Sequence, residues 1–125
     1  MIIGTGIDII EIERVRMMHE RFGPRFHERV FLQDEIEYCL RQADPAPHLA
    51  ARFAAKEAIS KALGTGIGAQ LSWHDMEVQR EVSGRPMAIL HGKGTSLLQK
   101  LGGMEIQLSL SHTRGQAAAM AVLVG

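Results

Sequence analysis

The sequence predicts a single α+β domain, with an N-terminal strand and helices followed by an antiparallel β-meander. Three observations predict this class. A β-branched apolar run opens the chain, helical spacing of apolar side chains dominates up to residue 63, and short alternating runs separated by glycine-containing turns fill the remainder. A chain of 125 residues has room for one core, so we expect one domain over residues 1–125.

The first strand, expected over residues 1–10, has two unlike faces. Side chains alternate along a strand, so Gly4, Gly6 and Asp8 share one face while Thr5 and three isoleucines share the other. The glycines leave the backbone beside Asp8 bare, and we expect another group to approach it closely. Taken alone, Asp8 is also explained as a cap for the helix that follows.

Three helices are expected in the first half of the chain. An apolar stripe predicts a helix over Glu11–Phe22, which the pair Gly23-Pro24 ends. A second helix is predicted over Asp34–Gln42, and a third over His48–Leu63, where a glycine-rich stretch stops it.

The second half of the chain alternates between short strands and turns. Strands are predicted over residues 73–82, 87–90, 104–111 and 116–124, with one further helix over residues 95–101. Because neighbouring runs are joined by short turn segments, we expect these strands to form one meander.

Bulk properties exclude several classes of function. A formal net charge of +0 does not suggest a nucleic-acid partner, and no apolar run approaches the length of about 20 residues that spans a membrane. The first residues lack the pattern of a signal peptide, so a cytoplasmic location is expected. Cys39 is the only cysteine, which excludes an internal disulfide, and we interpret it as a buried small hydrophobe.

The third helix carries the residues that point to chemistry. Its polar and aromatic side chains lie within one arc of roughly 140° on a helical wheel. This face holds Phe53, Lys56, Glu57, Ser60 and Lys61. Lysines suit phosphate oxygens, and a carboxylate suits Mg²⁺. The spacing alone favours a simpler interpretation, a solvated face with weak ion pairs.

Two segments taken together resemble a known family. The sequence GIDI at residues 6–9 and the sequence FAAKEAISK at residues 53–61 resemble the two signature motifs of the 4'-phosphopantetheinyl transferases. The chain length and the sequence SLSH at residues 109–112 resemble the short, carrier-protein synthase class of that family. The resemblance covers essentially the whole chain and raises the catalytic interpretation above the simpler one.

The resemblance implies roles for three residues. In the family, the aspartate and the glutamate of the two motifs bind Mg²⁺, and here they correspond to Asp8 and Glu57. The metal would offset the charge of the coenzyme A pyrophosphate while a carrier-protein serine attacks it. Lys61 would contact the pyrophosphate or stabilise the departing bisphosphate. The proton acceptor is left open between Glu57 and a metal-bound water held by Asp8.

The resemblance also implies a coenzyme A site and an assembly. The residues that match this site are Arg52, Lys56, Ser60, Gly84, Arg85, Pro86 and His112. His112 would meet the adenosine 3'-phosphate, and the bare glycine face beside Asp8 would admit the ligand. Ser83 stands where the family commonly has asparagine, which weakens a side-chain role there but not the turn. Members of this class are homotrimers with sites at subunit boundaries, so a trimer is implied.

A basic stretch on the first helix suggests a docking surface. Arg14 and Arg21 are seven residues apart and fall within roughly 20° on a helical wheel. Such arginines are solvated by default. Because carrier proteins of this pathway are acidic, the resemblance implies that these two arginines dock acyl carrier protein. Arg25 and Arg29 follow Gly23-Pro24 and are not assigned to the same stripe.

The leading hypothesis is phosphopantetheinyl transfer to acyl carrier protein in support of fatty acid biosynthesis, with release of adenosine 3',5'-bisphosphate. A regulatory trimer that binds coenzyme A without turnover is one alternative, and a carrier-protein docking module is another. A zinc hydrolase ranks last, because the six histidines show no His-x-x-x-His spacing.

Overall fold

The structure, a computed structural model, describes all 125 residues. Its elements, in chain order, are β1 (Ile2–Glu11), α1 (Ile12–Phe22), α2 (Pro24–Val30), α3 (Gln33–Leu40), α4 (Pro45–Ala62), a 3-10 turn (Trp73–Asp75), β2 (Met76–Arg80), β3 (Pro86–Leu90), α5 (Gly92–Lys100), β4 (Glu105–His112) and β5 (Gln116–Val124). The predicted α+β class is confirmed. None of the helices combines the length and the apolar composition that a membrane span requires.

The strands form two antiparallel sheets, which corrects the prediction of one meander. β5 lies between β1 and β4 in a three-stranded sheet, while β2 and β3 form a separate hairpin. Helix α5 interrupts the series between β3 and β4. The last strand pairs with the first one, from Ile2 opposite Val124 to Glu11 opposite Gln116. This pairing joins the two ends of the chain, so no local turn signals it.

Proline begins two helices that the sequence analysis placed wrongly or missed. Gly23, with φ of 52°, turns the chain after α1, and Pro24 then begins α2. Likewise, α4 begins at Pro45 rather than at His48, with the Asp44 side chain accepting a hydrogen bond from the backbone of the first turn. Proline fits the first helical position because the N–H that it lacks would be unpaired there.

Helix α4 crosses the sheet at very close range. Alanines cover its sheet-facing side, and β5 opposes them with three further buried alanines at residues 117, 119 and 121. A Cβ at Gly6 would overlap the carbonyl oxygen of Ala58, and one at Gly4 would overlap that of Ala62. The bare face of β1 is therefore filled by α4 itself, which corrects the expectation that a ligand enters there.

Candidate functional site

An acidic pair lies where β1 meets α4. Asp8 and Glu57 line one cavity of about 290 Å³, together with Arg14 and Met18 of α1 and with Phe53. Asp8 reaches α4 because it follows the two glycines along the face of β1 that packs on that helix. The fold thus brings together the two carboxylates that the sequence selected. We call this space the acidic cavity.

The electrostatics of the acidic cavity favour a cation. Partial burial raises the pKa of Glu57 above its ordinary value, and the negative charge of Asp8 raises it further. A divalent ion between the carboxylates would remove this repulsion. No cluster of three metal-ligating side chains forms anywhere in the chain. Two carboxylates fit Mg²⁺, which usually takes one or two from the protein and completes its shell with phosphate oxygens and water.

Lys61 borders the acidic pair from the last turn of α4. Its Nζ donates a hydrogen bond to the carbonyl oxygen of Ile7 at 2.9 Å and lies 3.3 Å from Oδ1 of Asp8. Nearly half of its side chain, 49%, is exposed. The ammonium group is therefore placed to meet an anionic ligand that approaches from solvent.

Lys56 lies inside the protein and does not reach the acidic cavity. Its Nζ pairs with Oε1 of Glu35 at 2.7 Å and donates to the carbonyl oxygens of Val30 at 2.8 Å and Trp73 at 3.3 Å. The side chain is completely buried. With three oxygen partners and no exposed surface, Lys56 has no contact left for coenzyme A, contrary to the expectation from the motif.

Ser60 is also enclosed. It is fully buried, and its hydroxyl donates to the carbonyl oxygen of Glu57, one turn earlier, at 2.7 Å. The helical wheel placed Ser60 and Lys56 on one solvated face with Glu57. That inference fails because α4 is covered by the sheet on one side and by α1, α3 and β2 on others, which leaves only a narrow strip exposed.

Arg52 lies on α4 beside a separate cavity. Its guanidinium carbon is 4.3 Å from the centre of the Tyr38 ring, and its buried Nε has no hydrogen-bond partner. A cavity of about 510 Å³ beside it, which we call the arginine cavity, is lined by Arg41, Arg52 and Arg80 and by the carboxylates of Asp34, Glu35, Glu77 and Glu81. Burial lowers the pKa of His48, and Arg52, Arg80 and His112 lower it further, so His112 lies near the same two arginines. Guanidinium groups suit a phosphate group.

The remaining candidates lie on the β3 and β4 side of the molecule. Gly84 forms the turn before β3 with φ of 92°, and Pro86 begins the strand. The Nη2 of Arg85 donates to Oε1 of Gln107 on β4 at 2.7 Å. His112 ends β4, whereas Asp8 lies on β1 at the other edge of the sheet. Because strands are spaced about 4.8 Å apart, these edges are separated by roughly 10 Å.

The two predicted docking arginines lie on α1, as expected. Arg14 lines the acidic cavity, and the guanidinium carbon of Arg21 lies 5.4 Å from the centre of the Phe22 ring. Arg14 therefore borders the acidic cavity, whereas Arg21 lies beside Phe22 at the end of α1.

A second cavity adjoins the acidic one. We call it the apolar groove; it encloses about 490 Å³ and is lined by Met18, Phe22, Arg25, Phe26, Arg29, Val30, Phe53 and Trp73. Met18 and Phe53 belong to both cavities. Arg25 and Arg29 are absent from the predicted docking surface because the sequence pattern placed the end of the first helix at Gly23-Pro24. The proline was the signal that a new helix begins there.

Comparison with protein families gives an independent result. A family model described as the 4'-phosphopantetheinyl transferase superfamily matches residues 4–120. The chain is 49% identical over 123 residues to the holo-[acyl-carrier-protein] synthase of Koribacter versatilis, covering 98% of each chain. It is 50% identical over 119 residues to that of Moorella thermoacetica, covering 95% of this chain and 91% of the relative.

Solved structures agree with the sequence relatives. The holo-[acyl-carrier-protein] synthase of Neisseria meningitidis is 30% identical, with a TM-score of 0.92 and complete coverage of both chains. That of Helicobacter pylori, in complex with coenzyme A, is 33% identical with a TM-score of 0.85, covering 95% of this chain and 98% of the other. The chain therefore belongs to the 4'-phosphopantetheinyl transferase superfamily, among its holo-[acyl-carrier-protein] synthases.

Proposed function

We propose that this protein transfers 4'-phosphopantetheine from coenzyme A to a serine of apo-acyl carrier protein, in support of fatty acid biosynthesis. The other product is adenosine 3',5'-bisphosphate. One observation carries the proposal: Asp8 and Glu57 share a cavity with Lys61 at its border, in a chain 49% identical over nearly its full length to a holo-[acyl-carrier-protein] synthase. A cytoplasmic location stays a prediction.

Asp8 and Glu57 would hold the magnesium ion on which we propose that the reaction depends. When bound, Mg²⁺ offsets the negative charge of the pyrophosphate and orients it. Burial and then the charge of Asp8 raise the pKa of Glu57, so a cation in the acidic cavity would stabilise its ionised form, which supports this assignment. Lys61 adds a second positive charge at the same border, where it can neutralise the phosphate that leaves.

The transfer itself exchanges one P–O bond for another. The serine oxygen of the carrier protein forms a bond to the β-phosphorus of coenzyme A, and the bond between that phosphorus and the bridging oxygen breaks. The bridging oxygen leaves on adenosine 3',5'-bisphosphate. The serine proton would pass to Glu57 or to a water molecule held by Asp8, the two acceptors that the acidic cavity offers.

We further propose a homotrimer with sites at the subunit interfaces. The outer face of the three-stranded sheet exposes Ile7, Ile9 and Met120 by 61%, 60% and 48%, an apolar surface that association would cover. Asp8 and His112 lie on opposite edges of the sheet. We propose that the ligand runs from Asp8 of one copy to His112 of a neighbouring copy.

In such an assembly each copy would supply half of the site. One copy would present the acidic cavity with Lys61. Its neighbour would present Arg52 of the arginine cavity together with His112 and the turn that holds Gly84, Arg85 and Pro86. Arg52 is buried but lines the arginine cavity, which supports its place in that half. Lys56 and Ser60 are left out of the proposed site because both are buried and neither lines a cavity described above.

The carrier protein would dock on α1 and α2. Arg14 borders the acidic cavity, and Arg21 lies on the same helix. Arg25 and Arg29 line the apolar groove, which shares Met18 with the acidic cavity. This arrangement supports binding of an acidic partner whose serine must reach Glu57, since positive charge around the entrance speeds and orients the encounter.

The direct test is a mass measurement on the carrier protein. We expect apo-acyl carrier protein, incubated with this protein, coenzyme A and Mg²⁺, to gain the mass of phosphopantetheine. Addition of a chelator should stop the gain. If the wild-type protein binds coenzyme A but adds no mass, the regulatory alternative is correct and the proposed activity is wrong.

A further inference from the structure

The buried lysine of the motif holds one wall of the apolar groove. Lys56 donates through Nζ to the carbonyl oxygens of Val30, at the end of α2, and of Trp73, in the 3-10 turn. Both residues line the groove. One ammonium group therefore connects two segments of its wall that are far apart in the sequence.

A buried carboxylate completes this connection. Glu35 pairs with Lys56 through Oε1, which also accepts a hydrogen bond from the backbone N–H of Leu32 at 2.8 Å. Its Oε2 accepts one from the N–H of Val78 at 2.8 Å. The pair thus joins α4 to α2, α3, β2 and the 3-10 turn. Because well-packed apolar side chains often stabilise a core as well as a buried ion pair does, stability alone does not account for this pair.

An aromatic contact connects the apolar groove to the acidic cavity. Phe53, which lines both cavities, packs against Trp73 with ring centres 4.9 Å apart. Lys56 donates a hydrogen bond to the carbonyl oxygen of Trp73, and Glu57 follows Lys56 in the chain. Loss of this hydrogen bond would therefore act on Trp73 and the groove wall before it acts on the acidic cavity.

We propose that Lys56 and Glu35 are positioning residues for carrier-protein docking, acting through the groove wall and not through coenzyme A. This inference rests on the proposed function, because it takes the groove to receive the carrier protein. It differs from the role of Lys56 implied by the motif, which is contact with coenzyme A.

The two roles are separated by comparing affinities for the two substrates. Lys56→Met keeps a linear side chain and removes the ammonium group. We expect the KM for apo-carrier protein to rise at least about tenfold, while the calorimetric Kd for coenzyme A with Mg²⁺ stays within about twofold. Lys61→Met is the matched comparison and should weaken coenzyme A binding. A Kd for coenzyme A that rises in Lys56→Met as it does in Lys61→Met would overturn the proposal.

A spectroscopic measurement tests the wall itself without any substrate. Trp73 is the only tryptophan in the chain, so its fluorescence reports on the groove alone. We expect Lys56→Met to shift the emission maximum and to increase quenching by acrylamide. An unchanged signal would refute positioning by Lys56, whatever the activity. A changed signal in a protein whose wild type transfers nothing would leave the wall contact standing and reject the proposed function.

A double variant separates positioning from stability. Lys56→Met alone leaves Glu35 buried without its partner, whereas Lys56→Met with Glu35→Gln removes both charges. We expect the double variant to recover much of the lost melting temperature while its KM for the carrier protein stays raised. It also supplies this measurement if the single variant does not fold. Recovery of KM together with the melting temperature would show a role in stability only.

Discussion

Helix α4 carries two lysines that each face a carboxylate, in very different surroundings. Lys56 and Glu35 lie 2.7 Å apart, with 0% and 1% of their side chains exposed. Lys61 and Asp8 lie 3.3 Å apart, with 49% and 19% exposed. The first pair is closed off by further hydrogen bonds to backbone groups. The second borders an open cavity.

The comparison shows how burial decides what the same chemical groups can do. A buried pair with all its partners satisfied costs much to break, typically about 3–5 kcal/mol when one member is removed. An exposed pair is worth about 0–1 kcal/mol, so its members exchange partners easily. Asp8 can therefore leave Lys61 for a metal ion, and Lys61 can turn to a phosphate. Lys56 has no comparable freedom.

The largest expected effect is the loss of transfer activity when a carboxylate of the acidic cavity is removed. Asp8→Asn and Glu57→Gln should each lower the rate of carrier-protein modification at least about a thousandfold, because each removes a proposed metal ligand and its charge. Transfer is measured by mass spectrometry of the carrier protein. Glu37→Gln, an exposed position on α3, is the matched control and should retain full activity. Substantial turnover in Asp8→Asn would reject the metal assignment.

The second prediction compares the stabilities of the two lysine variants. Lys56→Met should lower the free energy of unfolding by about 3–5 kcal/mol, since it strands a buried carboxylate. Lys61→Met should lower it by less than about 1 kcal/mol, although it loses activity. Denaturation by urea measures both. Equal losses in the two variants would mean that burial does not distinguish the pairs.

The sequence predicted the residues of the acidic cavity better than it predicted the buried pair of Lys56 and Glu35. Asp8, Glu57 and Lys61 were selected by motif resemblance, and the fold brings them together. The same motif also pointed to Lys56 and Ser60, which are buried. A helical wheel gives directions around one helix but not what packs against each direction. Glu35, which determines the position of Lys56, is 21 residues away and carries no motif.

The fold shows the same division between local and distant information. Nearly every strand and helix was predicted near its observed place, because apolar periodicity is local. The pairing of β1 with β5 was not predicted, since it joins opposite ends of the chain. Helix α2 was missed because Pro24 was taken only as the end of one helix. The docking surface consequently lacked Arg25 and Arg29, which that helix contributes to the groove.

A third prediction concerns the two arginines of α1 that are proposed to dock the carrier protein. Arg14→Glu and Arg21→Glu should each raise the KM for acyl carrier protein about tenfold at low salt, with a smaller effect at high salt. The Kd for coenzyme A should be unchanged. Arg114→Glu, an exposed arginine in the turn between β4 and β5, serves as the control. An effect of the same size at Arg114 would indicate general repulsion and no docking at α1.

The smallest expected effect is a change in melting temperature that follows from the raised pKa of Glu57 in the acidic cavity. The folded state holds the Glu57 proton more tightly than the unfolded state does, because burial and Asp8 raise the pKa of Glu57. Ionisation of Glu57 therefore lowers stability as pH rises from the ordinary glutamate range through the raised value. Glu57→Gln lacks this loss. Its melting temperature at pH 8 should exceed that of the wild type by on the order of 2 °C, and the gap should close near pH 4.

The same melting experiment can be repeated in the presence of Mg²⁺. An ion that binds only the folded protein raises its melting temperature, so Mg²⁺ should stabilise the wild type at pH 8 and leave Glu57→Gln nearly unchanged. The metal and the substitution would then relieve the same repulsion between Asp8 and Glu57. If the wild type and Glu57→Gln melt at the same temperature at pH 8 without metal, the combined cost of burying Glu57 and of its repulsion by Asp8 is negligible. The ease with which Asp8 exchanges Lys61 for a metal ion would then depend on solvent exposure alone.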